Sequence, residues 1–116
     1  MSSDVMEINT ELFFKVVSYI ADHYAFDIPL ERLASIACMS ETKLKSCFKR
    51  QFGCSVTQYI QGRRMSQAEH LLIDTDFTMG QIAQMIGYTT SSRFAELFKK
   101  NTGIFPIECR KIARRE

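Results

Sequence analysis

The side chains that could do chemistry in this chain are mostly cations, and they are clustered. Residues 43–68 carry Lys43, Lys45, Lys49, Arg50, Arg63 and Arg64 with no acid among them, and residues 93–116 carry seven Lys and Arg against three acids. The intervening segments are the reverse: 1–42 hold seven acids against Lys15 and Arg32, and 69–92 hold three acids with no Lys or Arg. A formal net charge of +2 therefore conceals a steep alternation. Basic segments recurring about fifty residues apart suit two positive patches that face a polyanion.

Other chemistries find little support. His23 and His70 stand alone, without Cys, Asp or Glu in a matching metal-ligand pattern, and read as surface or packing histidines. Cys38, Cys47, Cys54 and Cys109 are too scattered for a disulfide framework, and no pair has the C-x₂-C spacing of a zinc site, so they read as buried thiols. Neither a Gly-rich phosphate loop nor a nucleophile elbow occurs. Enzymatic activity, a cofactor and a metal are accordingly not expected.

The elements that must position the cations follow from composition and periodicity. With 116 residues, 46% of them apolar and 24% charged, the chain fits one globular domain or two very small ones sharing a core. No window approaches 18 consecutive apolar residues, and MSSDVMEINTE has neither a basic n-region nor an apolar h-region. The expectation is a cytoplasmic protein with no membrane association.

An internal repeat organises the rest. Leu33-Ala34-x-x-Ala37-Cys38-Met39 aligns with Ile82-Ala83-x-x-Ile86-Gly87-Tyr88 at an offset of 49, and Leu44-x-x-x-Phe48-Lys49-Arg50-x-x-Gly53 aligns with Phe94-x-x-x-Phe98-Lys99-Lys100-x-x-Gly103 at 50. Two copies are too few for a solenoid, so this is a duplicated supersecondary unit. Each copy reads as a helix-turn-helix: a small residue where the helices cross (Ala34, Ala83), a turn residue (Cys38, Gly87), then an apolar residue closing the wedge (Leu44, Phe94). Pro29 can open the first helix of copy one, and Thr78 with Gln81 makes a capping box for copy two. Ser40 and Thr90 cap the second helices, which Gly53 and Gly103 terminate. Cys38 is the departure, because a turn position with positive φ favours glycine, and strain or a reshaped turn is expected there.

Around these units, a helix starting at Asn9 or Thr10 presents Phe13, Val16, Val17, Ile20 and Tyr24 on one face. Ser55 and Gln58 form a capping box for a long helix through Tyr59, Ile60, Met65, Ala68, Leu71 and Leu72 to about Ile73, roughly 27 Å in length. Gly62 inside it costs on the order of 1 kcal/mol against alanine, which implies a close approach or a bend. Pro106 opens a last helix with Ile107 and Ile112 inward. The predicted fold is all-α with about seven helices: an N-terminal tail at 1–8, a first helix-turn-helix subdomain at 9–54, a linker helix at 55–74 and a second subdomain at 75–116.

With these motifs in order, namely L30-E31-x-L33-A34, S40-x-x-x-L44-x-x-x-F48-K49, Y59-I60-x-x-x-R64-M65-x-x-A68-x-x-L71-L72, I82-A83-x-x-x-G87-Y88 and F94-x-x-x-F98-K99-K100-x-x-G103-x-x-P106-x-x-x-R110, the chain resembles the DNA-binding domain of the AraC/XylS family of bacterial transcription regulators. Val56 stands where a proline is common in that family, and Glu96 where a basic or polar residue is commoner. The resemblance implies two homeodomain-like helix-turn-helix units on a linker helix, each placing a recognition helix in successive major-groove turns, about 34 Å apart.

On that reading, Leu44, Cys47 and Phe48 face the core and leave Thr42, Lys43, Lys45, Ser46, Lys49 and Arg50 for DNA. Helix geometry and the resemblance together place Thr42, Lys45 and Ser46 at base edges and Lys43, Lys49 and Arg50 nearer phosphates. In copy two, Phe94, Leu97 and Phe98 are core, leaving Ser91, Ser92, Arg93, Ala95, Glu96 and Lys99. Arg93 suits guanine; Glu96 either accepts from cytosine N4 or repels phosphate. Arg64 is expected to anchor the linker rather than read DNA.

The function so implied is a sequence-specific DNA-binding transcription regulator, an activator by the resemblance, acting in the nucleoid on double-stranded DNA with RNA polymerase as protein partner. It is expected to be a monomer as this chain, and a dimer if a longer parent protein supplies an N-terminal domain. The alternative is a protein-interaction adaptor that has kept the fold and lost specific readout, favoured by the modest net charge, Glu96 and the acidic first third.

Overall fold

A computed structural model describes residues 10–115. The expected N-terminal tail at 1–8 lies outside the described residues. Among the described residues the chain is all-α, with seven helices in the order α1 (Thr10–His23), α2 (Leu30–Ile36), α3 (Glu41–Phe52), α4 (Val56–Asp74), α5 (Met79–Met85), α6 (Ser91–Thr102) and α7 (Pro106–Ala113). Two compact units divide the chain, the first from 10–23 and Asp27–Ile60, the second from Tyr24–Phe26 and 61–115.

In the first unit the apolar stripe of α1 meets α2 and α3. Val16, Ile20, Leu33, Leu44 and Phe48 are fully buried, and Phe13 and Val56 nearly so. Each such Leu, Ile or Phe contributes about 1.5–3 kcal/mol relative to exposure. Rings tie the far end of α3 to its neighbours: Phe48 lies 5.5 Å from Phe13 and 5.3 Å from Tyr59, centroid to centroid. Tyr24 departs from expectation. The helix ends at His23, and the Tyr24 ring packs on the core of the second unit.

That second core gathers Met65, Ala68 and Leu72 of α4 with Ile82, Ala83, Ile86, Phe94, Leu97 and Phe98. The short helix α7 meets it differently from the expected way. Pro106 is buried, and Cys109 and Arg110 are half-buried, whereas Ile107 and Ile112 are 52% and 57% exposed. The Arg110 guanidinium decides the orientation: Nε donates to Leu72 O at 2.9 Å and one Nη to Thr75 O at 3.0 Å. It thereby covers carbonyls that the end of α4 leaves without intrahelical partners. Arg114 adds an ion pair to Asp76 at 2.7 Å.

The cysteines are less uniformly buried than expected: Cys47 is buried, Cys54 and Cys109 are half-buried, and Cys38 is exposed. Gly62 also differs. A Cβ added there meets no atom within 4 Å, so close approach is not why the position carries glycine. No helix among the described residues is long and apolar enough to cross a membrane.

Candidate nucleic-acid interface

Both candidate recognition helices are held in place by their own ends. The Ser40 hydroxyl accepts from the Lys43 amide at 3.1 Å, and α3 stops at Gly53 with φ +72°. Thr90 does the same for the Arg93 amide at 3.1 Å, and α6 stops at Gly103 with φ +91°. Side-chain caps of this kind contribute about 1 kcal/mol each. Turn geometry is repeated too: the Met39 amide donates to Ala34 O at 3.0 Å and Tyr88 to Ala83 O at 2.8 Å. The turn residues are Cys38 at φ +56° and Gly87 at φ +103°. Cys38 is therefore a non-glycine residue in the left-handed region, which costs about 1–2 kcal/mol.

Inward burial fixes what points out. With Leu44, Cys47 and Phe48 buried, Thr42, Lys43, Lys45, Ser46, Lys49 and Arg50 are all exposed on α3. Lys45 and Lys49, one turn apart, border a groove walled by Ile28, Leu30, Val56 and Ile60. With Phe94, Leu97 and Phe98 buried, Ser91, Ser92, Arg93, Glu96 and Lys99 are exposed on α6, and Ala95 is half-buried.

Alike in backbone, the two helices differ in chemistry. Arg93 and Glu96 form an ion pair at 3.7 Å. Lys99 reaches the end of its own helix, where Nζ donates to Gly103 O at 3.3 Å and lies 4.9 Å from the Phe105 ring centroid, while the side chain stays exposed. The groove beside α6 is apolar, lined by Met79, Phe94, Ala95, Phe105 and Ile107. Sequence reasoning did not register this contrast, although the repeat encodes it: Lys45, Ser55 and Thr57 of copy one become Ala95, Phe105 and Ile107 in copy two.

Several cations are structural. Arg64 donates through Nε to Tyr24 O at 2.6 Å and through Nη groups to Phe26 O at 3.2 Å and Gly87 O at 3.5 Å. Its guanidinium also lies 4.9 Å from the Tyr88 ring centroid. This is the anchoring role expected of it, made to backbone carbonyls and the turn of the second helix-turn-helix. Of the histidines, His23 stacks on Tyr19 at 4.0 Å, with its Nδ1 2.9 Å from Tyr19 O, and His70 lies 3.7 Å from Asp74.

Comparison with known proteins agrees with this architecture. A family described as a helix-turn-helix domain matches residues 33–112, more than half of the chain. The arabinose operon regulatory protein of Escherichia coli K12 is 36% identical over 95 residues, which are 79% of this chain and 32% of that protein. The C-terminal domain of AraT, a response regulator from Geobacillus stearothermophilus, superposes with a TM-score of 0.82 at 28% identity, covering 90% of this chain and 88% of that one. The DNA-binding domain of AdpA, a global transcriptional factor solved in complex with a target DNA, gives 0.79 at 25% identity, covering 86% and 90%. The chain spans about a third of the length of the curated relatives it matches. The family match over residues 33–112, together with the likeness to a sugar-operon regulator and to a domain solved on its DNA, fits the duplicated, capped turn and settles the classification: the chain belongs to the AraC/XylS family of DNA-binding helix-turn-helix transcription regulators.

Proposed function

We propose that this chain binds specific duplex DNA sites to regulate transcription, with α3 and α6 entering successive major-groove turns. The observation that carries the reading is the outward row of α3: six polar or cationic side chains, Thr42 to Arg50, all exposed on a helix fixed by its cap and its buried face. Thr42, Lys45 and Ser46 contact base edges, and Lys43, Lys49 and Arg50 contact phosphates. On α6, Ser91, Ser92, Arg93, Glu96 and Lys99 form the second contact surface. The layout is a first helix-turn-helix subdomain at 9–54, a linker helix at 55–74 and a second subdomain at 75–116. The chain acts in the cytoplasm at the nucleoid as a monomeric, non-enzymatic activator that works with RNA polymerase.

Selection of bound duplexes from a random pool at about 0.15 M salt tests this: two enriched boxes with centres about 10 bp apart are expected. Lys45→Glu combined with Arg50→Glu abolishes enrichment, and about six phosphate contacts in all, three of them from Lys43, Lys49 and Arg50, give a slope near −5 in log K against log salt. Undiminished binding by the double variant, or a flat salt dependence, overturns the assignment. A second reading, an adaptor that binds protein instead, is favoured by the exposed apolar groove beside α6. It predicts no enrichment from the pool.

A further inference from the structure

The Arg93–Glu96 pair has no counterpart in the first unit, where the equivalent positions on α3 are Lys43 and Ser46. Arg93 stands in the first turn of α6, three residues after the Thr90 cap, where the unpaired amides of the helix start disfavour a cation. Glu96 lies one turn on and on the same face, with its carboxylate 3.7 Å from the guanidinium. That distance is an ion pair rather than a hydrogen bond. Both side chains are exposed, at 61% and 72%, so the pair contributes little to stability. A carboxylate on this face also opposes the phosphate backbone. Neither fold stability nor general DNA affinity accounts for Glu96.

Base edges do account for it. In the major groove guanine offers two acceptors, O6 and N7, and its cytosine partner offers the N4 amino donor beside them. A guanidinium fork and a carboxylate held next to one another present the complementary set in the same order. C·G and A·T oppose them, because guanine O6 or thymine O4 would face the Glu96 carboxylate and cytosine N4 or adenine N6 would face the Arg93 donors. T·A offers O4 and N6 in the right order but one acceptor and a methyl group where guanine offers two acceptors, so it is the least disfavoured alternative. We propose that Arg93 and Glu96 jointly read one G·C base pair, Arg93 donating to guanine while Glu96 accepts from cytosine N4 and holds the guanidinium in register. Glu96 is then both a reader and the positioning residue for Arg93, and it lowers affinity for DNA in general in exchange for discrimination. This inference rests on the reading of α6 as a recognition helix.

The test is equilibrium binding of the parent chain, Arg93→Ala, Glu96→Ala and the double variant to the selected duplex, with all four base pairs tried at each position of the second box. The parent is expected to prefer G·C at one position, with T·A the next best and C·G and A·T the worst. Arg93→Ala loses that preference by about 5- to 150-fold. Glu96→Ala loses it comparably while binding unrelated duplexes more tightly than the parent does. The double variant discriminates no worse than Arg93→Ala alone, since the two act as one reader. Retention of the parent preference by Glu96→Ala, or a second box with no G·C preference, overturns the joint reading and leaves the α3 assignment standing. Absence of any enriched box overturns the DNA-binding reading itself, and this inference with it.

Discussion

The two helix-turn-helix turns should respond in opposite senses to exchange of their central residues. At Gly87, φ is +103°, and an added Cβ would lie 2.7 Å from Ala25 O and 2.9 Å from the Arg64 guanidinium carbon. The first of these neighbours is backbone and cannot yield. The second is the group that bonds Tyr24 O, Phe26 O and Gly87 O. Gly87→Ala therefore incurs the left-handed cost of about 1–2 kcal/mol, and displacing even one hydrogen bond of a charged donor adds about 1.5–3 kcal/mol. The total, about 2.5–5 kcal/mol, is a large part of the stability of an ordinary domain, and a fall in Tm of about 10 °C or more follows. At Cys38, φ is +56° and the side chain is exposed. Cys38→Gly removes about 1–2 kcal/mol of backbone cost and adds about 0.4–1 kcal/mol of unfolded-chain entropy, leaving a net gain of about 0–1.6 kcal/mol. Urea titration of both variants, followed by circular dichroism, reads the difference. A Gly87→Ala variant within about 1 kcal/mol of the parent, or equal losses at the two turns, would refute the steric and dihedral argument.

Three further perturbations follow from features of the fold. Gly62→Ala, at an open position inside α4, should stabilise by about 1 kcal/mol and raise Tm by about 4 °C; an unchanged Tm would mean that propensity is not limiting there. Arg110→Ala uncovers the carbonyls at the end of α4 and should cost about 2–4 kcal/mol while leaving the salt slope of DNA binding intact; a slope reduced by about 1 would instead make Arg110 a phosphate ligand. Burial, and secondarily the Glu69 carboxylate, hold the Cys109 thiol above its ordinary pKa by disfavouring the thiolate. Alkylation followed by mass spectrometry should find Cys109 slow near pH 8 and the exposed Cys38 fast, with Glu69→Gln accelerating Cys109; an unaltered Cys109 rate would remove the carboxylate from the account.

Most of the fold was legible because its signals are local. Ser40, Thr78 and Thr90 each cap the helix that their spacing indicates, and Ser55 with Gln58 forms the reciprocal pair of bonds at 2.9 and 3.1 Å. The buried triads of α3 and α6 were readable from i, i+3, i+4 spacing alone, and so was the exposure of the candidate contact residues. What escaped depended on partners distant in sequence. On the eight-residue α7, Ile107 and Ile112 compete with Pro106 and Cys109 for the inner face, and the choice is made by Arg110 reaching carbonyls 38 and 35 residues away. Tyr24 continues the helical spacing of α1, yet its neighbours belong to the second core. The engagement of Lys99 needed the left-handed turn at Gly103 and the ring of Phe105 to be in place together.

The arginines that brace the second unit, Arg64 and Arg110, take backbone carbonyls as partners and are half-buried. Mobile ions reach such bonds poorly, whereas contacts between exposed lysines and phosphate weaken steeply as counterions return to the duplex. Adhesion to DNA and cohesion of the protein are thus governed by different solution variables. On the function proposed above, a rise in ionic strength releases the DNA and leaves the scaffold unaltered. Recapture as the salt falls then requires diffusion alone, with no refolding step in between.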